Sequence, residues 1–120
     1  MWIFRNPNPC NILIGDCVIR AVSIAQKQGW RITHKDLCDL SREMCNVPSA
    51  NSVWGTYLME RGAQYFEPNK PITIRQFCLL NPYGTFTVGT GSHAVTIIDG
   101  DWYDIWDSGD EYISYIFKIK

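Results

Sequence analysis

The pair Asp99-Gly100 stands between two runs rich in β-branched and aromatic residues, His93-Ala94-Val95-Thr96-Ile97-Ile98 and Trp102-Tyr103-Asp104-Ile105-Trp106. Asp-Gly in such a setting is a strong short-range hairpin signal, because it tolerates the backbone of a tight turn. The two runs are then obliged to pair antiparallel. Their neighbours extend the pattern. Thr85 to Val88 reads as a strand, and Gly89-Thr90-Gly91 is a flexible corner leading to His93. Ser108-Gly109 is a further turn, and Tyr112 to Ile119 reads as a last strand. The final third of the chain is therefore expected to be an antiparallel meander.

The first two thirds has a different period. Val18, Ala21, Val22 and Ala25 recur at helical spacing from Cys17 to about Gln28, with Gly29 as the stop. Thr33 and Asp36 form a capping-box-like start for a second helix, whose inward face is Leu37, Leu40 and Met44. After a loop holding Pro48, Ser52 to Arg61 reads as a third helix with Val53, Tyr57 and Leu58 inward, ended by Gly62. Ala63 to Glu67 reads as a short strand, Thr73 caps a fourth helix through Leu80, and Trp2 to Phe4 suits an edge strand. This pattern predicts an α+β fold in one domain, residues 1–120, with N-terminal helices packed on one side of a C-terminal antiparallel sheet.

Hydrophobic residues make up 46% of the chain, enough for a real core, and the formal net charge of −1 gives no electrostatic case for nucleic acid or an anionic membrane. No apolar run approaches the length that crosses a bilayer. The start, Met1-Trp2-Ile3-Phe4-Arg5-Asn6-Pro7, lacks the features of a signal peptide, so a cytoplasmic protein is expected. The five cysteines, Cys10, Cys17, Cys38, Cys45 and Cys78, are odd in number and argue against a disulfide framework. With no paired-cysteine spacing and only His34 and His93, no metal site and no cofactor are expected. Cys38, Cys45 and Cys78 fall at apolar helical positions and read as small core residues; His34 reads as a solvated surface histidine.

Cys17 differs from the other cysteines. Asn6-Pro7-Asn8-Pro9 forbids regular structure, and Gly15 and Asp16 deliver the chain to the helix, with Asp16 as N-cap. That sets Cys17 in the first turn, where the positive helix end favours a thiolate. A thiol is activated by a neighbouring imidazole, which in turn needs a third group to orient it. His93, at the mouth of the corner where an apolar strand begins, is the candidate base. The third member depends on the hairpin register. A looser connection sets His93 across from Asp107; a turn with Asp99 and Gly100 as its two central residues brings Asp104 onto the histidine's face instead. Asp107, closing the strand beside the start of the His93 strand, is the primary candidate and Asp104 the alternative. The Cys17 backbone N–H and the Asn11 side chain are candidate oxyanion donors. Trp102, Tyr103, Trp106 and Trp54 are candidates for a substrate groove, with core packing as their other role.

Asn11, Asp16-Cys17, the helix ending at Gly29, His93-Ala94-Val95 and Trp106-Asp107-Ser108 together resemble the papain-like cysteine peptidases. The layout is closest to the bacteriocin-processing peptidases that cut after double-glycine leaders, and it is also similar to small papain-like proteins of bacteriophages and gut bacteria. Asn11 stands where the leader peptidases carry Gln, and Val18 where they carry Gly. The resemblance implies Cys17 as nucleophile, His93 as base then acid, Asp107 as orienter and Asn11 as oxyanion donor. It implies a protein or peptide substrate cleaved through a thioester, in a bacterial or host cytoplasm. Other acyl-transfer chemistry (transglutaminase, amidase, acyltransferase) uses the same residue order. A binding module that keeps the scaffold without catalysis, such as a phage protein acting on a host factor, is the alternative from another class.

Overall fold

The computed structural model describes all of residues 1–120. The Asp99-Gly100 turn sets its centre. Asp99 has φ 49° and Gly100 φ 82°, the double positive-φ conformation of a two-residue turn whose twist matches that of paired strands. It joins β4 (Ala94–Ile98) to β5 (Asp101–Asp104), pairing Ile98 with Asp101, Ile97 with Trp102 and Thr96 with Tyr103.

Around this hairpin lie β1 (Trp2–Phe4), β2 (Gln64–Phe66), β3 (Thr85–Gly89) and β6 (Tyr115–Lys118), giving one six-stranded sheet in the order β1-β5-β4-β3-β6-β2. The sheet is mixed rather than wholly antiparallel. β1 lies parallel to β5, with Trp2 beside Trp102 and Phe4 beside Asp104. A strand from the start of the chain can do this because the intervening helices supply the long crossover a parallel pair needs.

The helices are α1 (Cys17–Gln26), α2 (Trp30–Glu43), α3 (Asn51–Glu60) and α4 (Ile74–Leu80). They do not all lie on one side. Successive strand residues point to opposite faces, and both faces are buried. Ala94 and Phe117 join Val18, Ala21, Val22, Leu37, Trp54 and Leu58 beneath α1 to α3. Val95, Ile97 and Ile116 join Ile74, Phe77, Phe86 and Trp102 beneath α4. Each large apolar side chain so enclosed is worth about 1.5–3 kcal/mol over exposure. Thr87 and Thr96 are fully buried, yet their hydroxyls lie 2.8 Å apart and Thr96 donates to the Ala21 carbonyl at 2.6 Å. That bond fixes α1 against β4, and with it the place of Cys17 relative to His93.

Helix ends differ from expectation at two places. α1 stops at Lys27, which takes a left-handed conformation, φ 52°. Gly29 is instead the N-cap of α2, and Thr33 is buried in its first turn, its hydroxyl donating to the Gly29 carbonyl. At α4 the capping box is complete: Thr73 accepts from the Gln76 backbone N–H, and the Gln76 side chain accepts from that of Thr73. No helix is long and apolar enough to cross a membrane.

Candidate active site

Cys17 is the first residue of α1 and His93 immediately precedes β4. As a first-turn residue, Cys17 has a backbone N–H without an intrahelical acceptor. Its sulfur is half-buried. Burial pushes the thiol pKa up, but the His93 side chain, the Ala94 backbone N–H and the charges of His93 and Arg20 more than reverse that, leaving it lowered.

His93 Nε2 donates to Asp104 Oδ2 at 2.6 Å. Burial disfavours the imidazolium, but the bond to Asp104 and then the interaction with Cys17 outweigh it and raise the pKa to about 9. The two shifts have opposite directions, imidazole up and thiol down, so each group favours the charged form of the other. Trp106, 44% exposed, lies against the imidazole with ring centroids 4.9 Å apart, shielding that face from water.

The hairpin register decides the third residue. Extended by one pair, it sets Asp104 across from Val95 and so on the face that continues to His93. Asp104 is 3% exposed and fully engaged. Oδ2 also accepts from the Ser108 hydroxyl at 2.8 Å, and Oδ1 from the Ile105 backbone N–H at 2.8 Å. The primary expectation, Asp107, is thereby corrected. Its Oδ1 accepts from Trp102 Nε1 and the Gly109 backbone N–H, both at 3.0 Å, and Arg75 lies 3.7 Å from Oδ2. The Gly109 bond is the main reason its pKa is lowered. Asp107 shapes the turn after β5 and does not meet His93.

The remaining expected residues divide. Asn11 is an exposed loop residue at φ 55° whose backbone N–H closes a turn onto the Asn8 carbonyl; its side chain makes no hydrogen bond within the chain. Trp54 and Trp102 are 1% and 2% exposed and belong to the core, so neither lines a groove. Tyr103 is half-buried between Ile3 and Thr96. Of the four aromatic candidates only Trp106 stands at the site. Of the cysteines read as core, Cys78 is buried, whereas Cys38 is half-exposed and Cys45 is exposed beyond the end of α2 at φ 53°. His34 is exposed and stacks on Trp30 at 5.0 Å.

Two features escape the sequence. The first is a groove of about 390 Å³ between α3, β2 and β6, lined by Gly55, Met59, Tyr65, Tyr115 and Phe117. Tyr115 ties it to the thiol. It pairs with Gly89, which pairs with Ala94 next to His93. A Cβ on Gly89 would fall 2.2 Å from Tyr115 Cζ, so only glycine lets the ring lie across that strand. Burial, the neighbouring Tyr65 and the Cys17 charge together push the Tyr115 hydroxyl up to about 12. No local pattern announces this groove, because its walls come from segments about fifty residues apart in the chain.

The second is Arg20, 4% exposed on the buried face of α1. Its guanidinium bonds Asp16 Oδ1, donates to the Ile14 carbonyl at 3.1 Å, and lies 3.5 Å from Asp104 Oδ1. Asp16 is N-cap by position only. Its carboxylate bonds no first-turn N–H and turns inward to Arg20, to Trp30 Nε1 at 2.9 Å and to Asn8 Nδ2 at 3.4 Å. An arginine four residues after an aspartate, inside a helix rich in Val, Ile and Ala, was the available signal.

The chain as a whole matches no family model, no curated protein and no solved structure.

Proposed function

We propose that the protein is a papain-like thiol hydrolase that cleaves a peptide or isopeptide bond through Cys17, His93 and Asp104. The observation that carries this reading is His93 itself: one ring nitrogen is held by a buried carboxylate at 2.6 Å, and the ring lowers the pKa of a thiol at a helix start. In this reading the Cys17 thiolate attacks the carbonyl carbon and a C–S bond forms. The Cys17 N–H, at the positive end of α1, donates to the developing oxyanion. His93 passes its proton to the leaving amine as the C–N bond breaks, then takes one from water, whose oxygen attacks the thioester and frees Cys17. The exposed Ile12-Leu13-Ile14 loop before the nucleophile and the Tyr65–Tyr115 groove give apolar surface for a peptide on either side of the sulfur. Reduced thiols suit a cytoplasmic setting, bacterial or host.

The test is competitive alkylation of all five cysteines with iodoacetamide near pH 6, read by peptide mass spectrometry. Cys17 is expected to react first, and His93→Ala to slow it. A Cys17 no faster than the exposed Cys10 and Cys45, and unchanged by His93→Ala, sinks the hydrolase reading in favour of a binding module. A pool of fluorogenic peptides and isopeptides then identifies the bond, with Cys17→Ala as the blank.

A further inference from the structure

We infer that Arg20 is a positioning residue of the thiol site, fixing the Asp104 carboxylate in the orientation that holds His93. The inference rests on the proposed Cys17–His93–Asp104 chemistry and adds a fourth residue that acts through Asp104 rather than on substrate.

Asp104 has two oxygens with different tasks. Oδ2 faces His93 and Ser108; Oδ1 faces Ile105 and the Arg20 guanidinium. Rotation of the carboxylate about its Cβ–Cγ bond would exchange them and misdirect the imidazole. A planar guanidinium resists that rotation because its donors are fixed in one plane. Arg20 is itself held in three ways: by Asp16, by the Ile14 carbonyl, and by its place in a helix anchored to β4 through Thr96. Asp16 is in turn fixed by Trp30 from α2 and Asn8 from the proline-rich loop. The charged and titratable groups facing Arg20 and Asp104 are thus Asp16 before α1, Cys17 on α1, and His93 before β4. The chain of contacts runs from α2 through Asp16, Arg20 and Asp104 to His93 and the sulfur. A purely structural ion pair needs only Asp16 and Arg20; it has no need of a guanidinium reaching a second carboxylate that already serves the imidazole.

The experiment measures the pH dependence of Cys17 alkylation by iodoacetamide in the full chain, with thermal unfolding alongside. Arg20→Lys keeps the charge but loses the planar fork. Its acid limb is expected to move up by about one pH unit, lowering the rate at pH 6 about tenfold. Asp107→Asn removes a nearby carboxylate that bonds Trp102 and Gly109 rather than His93 or Arg20, and its profile is expected within about threefold of wild type even where its melting temperature falls. Should Arg20→Lys not fold, Asp16→Asn with Arg20→Met removes the buried ion pair as a unit, which cores tolerate better than a stranded charge; the same shift of the acid limb is expected. A folded Arg20 variant whose acid limb matches wild type, while wild-type Cys17 is fast, overturns the role of Arg20 and leaves the thiol site standing. A wild-type Cys17 no faster than Cys10 and Cys45 overturns both.

Discussion

Cys17 and Cys78 sit on opposite faces of one sheet, and the same side chain behaves differently on each. Cys78, in α4, is surrounded by Ile74, Phe77, Phe86 and Trp102. Burial there is the dominant influence and pushes the thiol up to about 11. Cys17 is also partly buried, yet its pKa is lowered because His93, the Ala94 N–H and Arg20 stand around it. One side of the sheet spends its interior on apolar packing. Where β5 ends and α1 begins, Asp16, Arg20 and Asp104, all under 7% exposed, instead gather behind a single thiol. Burial alone thus raises a thiol's pKa, whereas burial among an organised set of charges lowers it.

The comparison can be broken most forcefully from the apolar side. Phe77→Ala is expected to cost about 3–5 kcal/mol of stability by denaturant unfolding, from lost transfer energy and the cavity left against Phe86. Its Cys17 alkylation rate in native buffer should stay within about twofold of wild type, since the sites share no partner. Loss of Cys17 reactivity in the folded variant would mean that the two sides are not independent.

The next effect is on the polar side. Removing His93 as His93→Ala is expected to slow Cys17 alkylation at pH 6 about fiftyfold. The smaller thiolate fraction outweighs the greater intrinsic nucleophilicity of a higher-pKa sulfur. Cys78 should not respond in the same samples.

Asp104→Asn and Asp107→Asn separate the two carboxylates of the hairpin. Asp104→Asn should raise the acid limb of the Cys17 profile by about one pH unit, because the imidazolium loses its counter-charge. Asp107→Asn should leave that limb in place and lower stability by about 1 kcal/mol or less, through a weakened turn. The reverse result would restore Asp107 to the site.

The smallest effect concerns stability against pH. The folded pKa of His93, about 9, lies above its ordinary 6.5. Its stabilising contribution is therefore full below about pH 6.5 and is lost as pH rises through about 9. The Cys17 shift has the opposite sign: a lowered thiol pKa contributes stability that is full above the ordinary 9.0 and is lost as pH falls through the folded value. The two slopes oppose one another across the ion-pair window. The melting temperature of wild type is expected to fall less steeply toward pH 9 than that of Cys17→Ser, because only the His93 slope remains in the variant. Parallel curves by calorimetry would argue that no thiolate–imidazolium pair exists.

Much of this architecture was readable along the chain. The helical spacing of Val18, Ala21, Val22 and Ala25, the Thr73 cap and the Asp99-Gly100 turn each placed an element, because each depends on neighbours within a few residues. The candidate nucleophile and base were readable for the same reason: a cysteine after Asp16 and a histidine before an apolar strand mark element ends. Gly29 misled because a glycine after one helix is equally suited to be the N-cap of the next. Cys38 and Cys45 misled because helical period fixes which residues share a face, not which face is covered.

The amino-acid sequence by itself determined that a thiol would stand at a helix start and an imidazole at a strand start, since capping and turn chemistry are local. Only the tertiary structure decided which carboxylate meets that imidazole, which aromatics are core and which form a groove, and that an arginine would sit behind the site. Those outcomes turn on a one-residue register, on α4 covering the second face, and on α1 docking through Thr96. Each brings together groups distant in the chain, whose energies exist only after the chain has closed on itself.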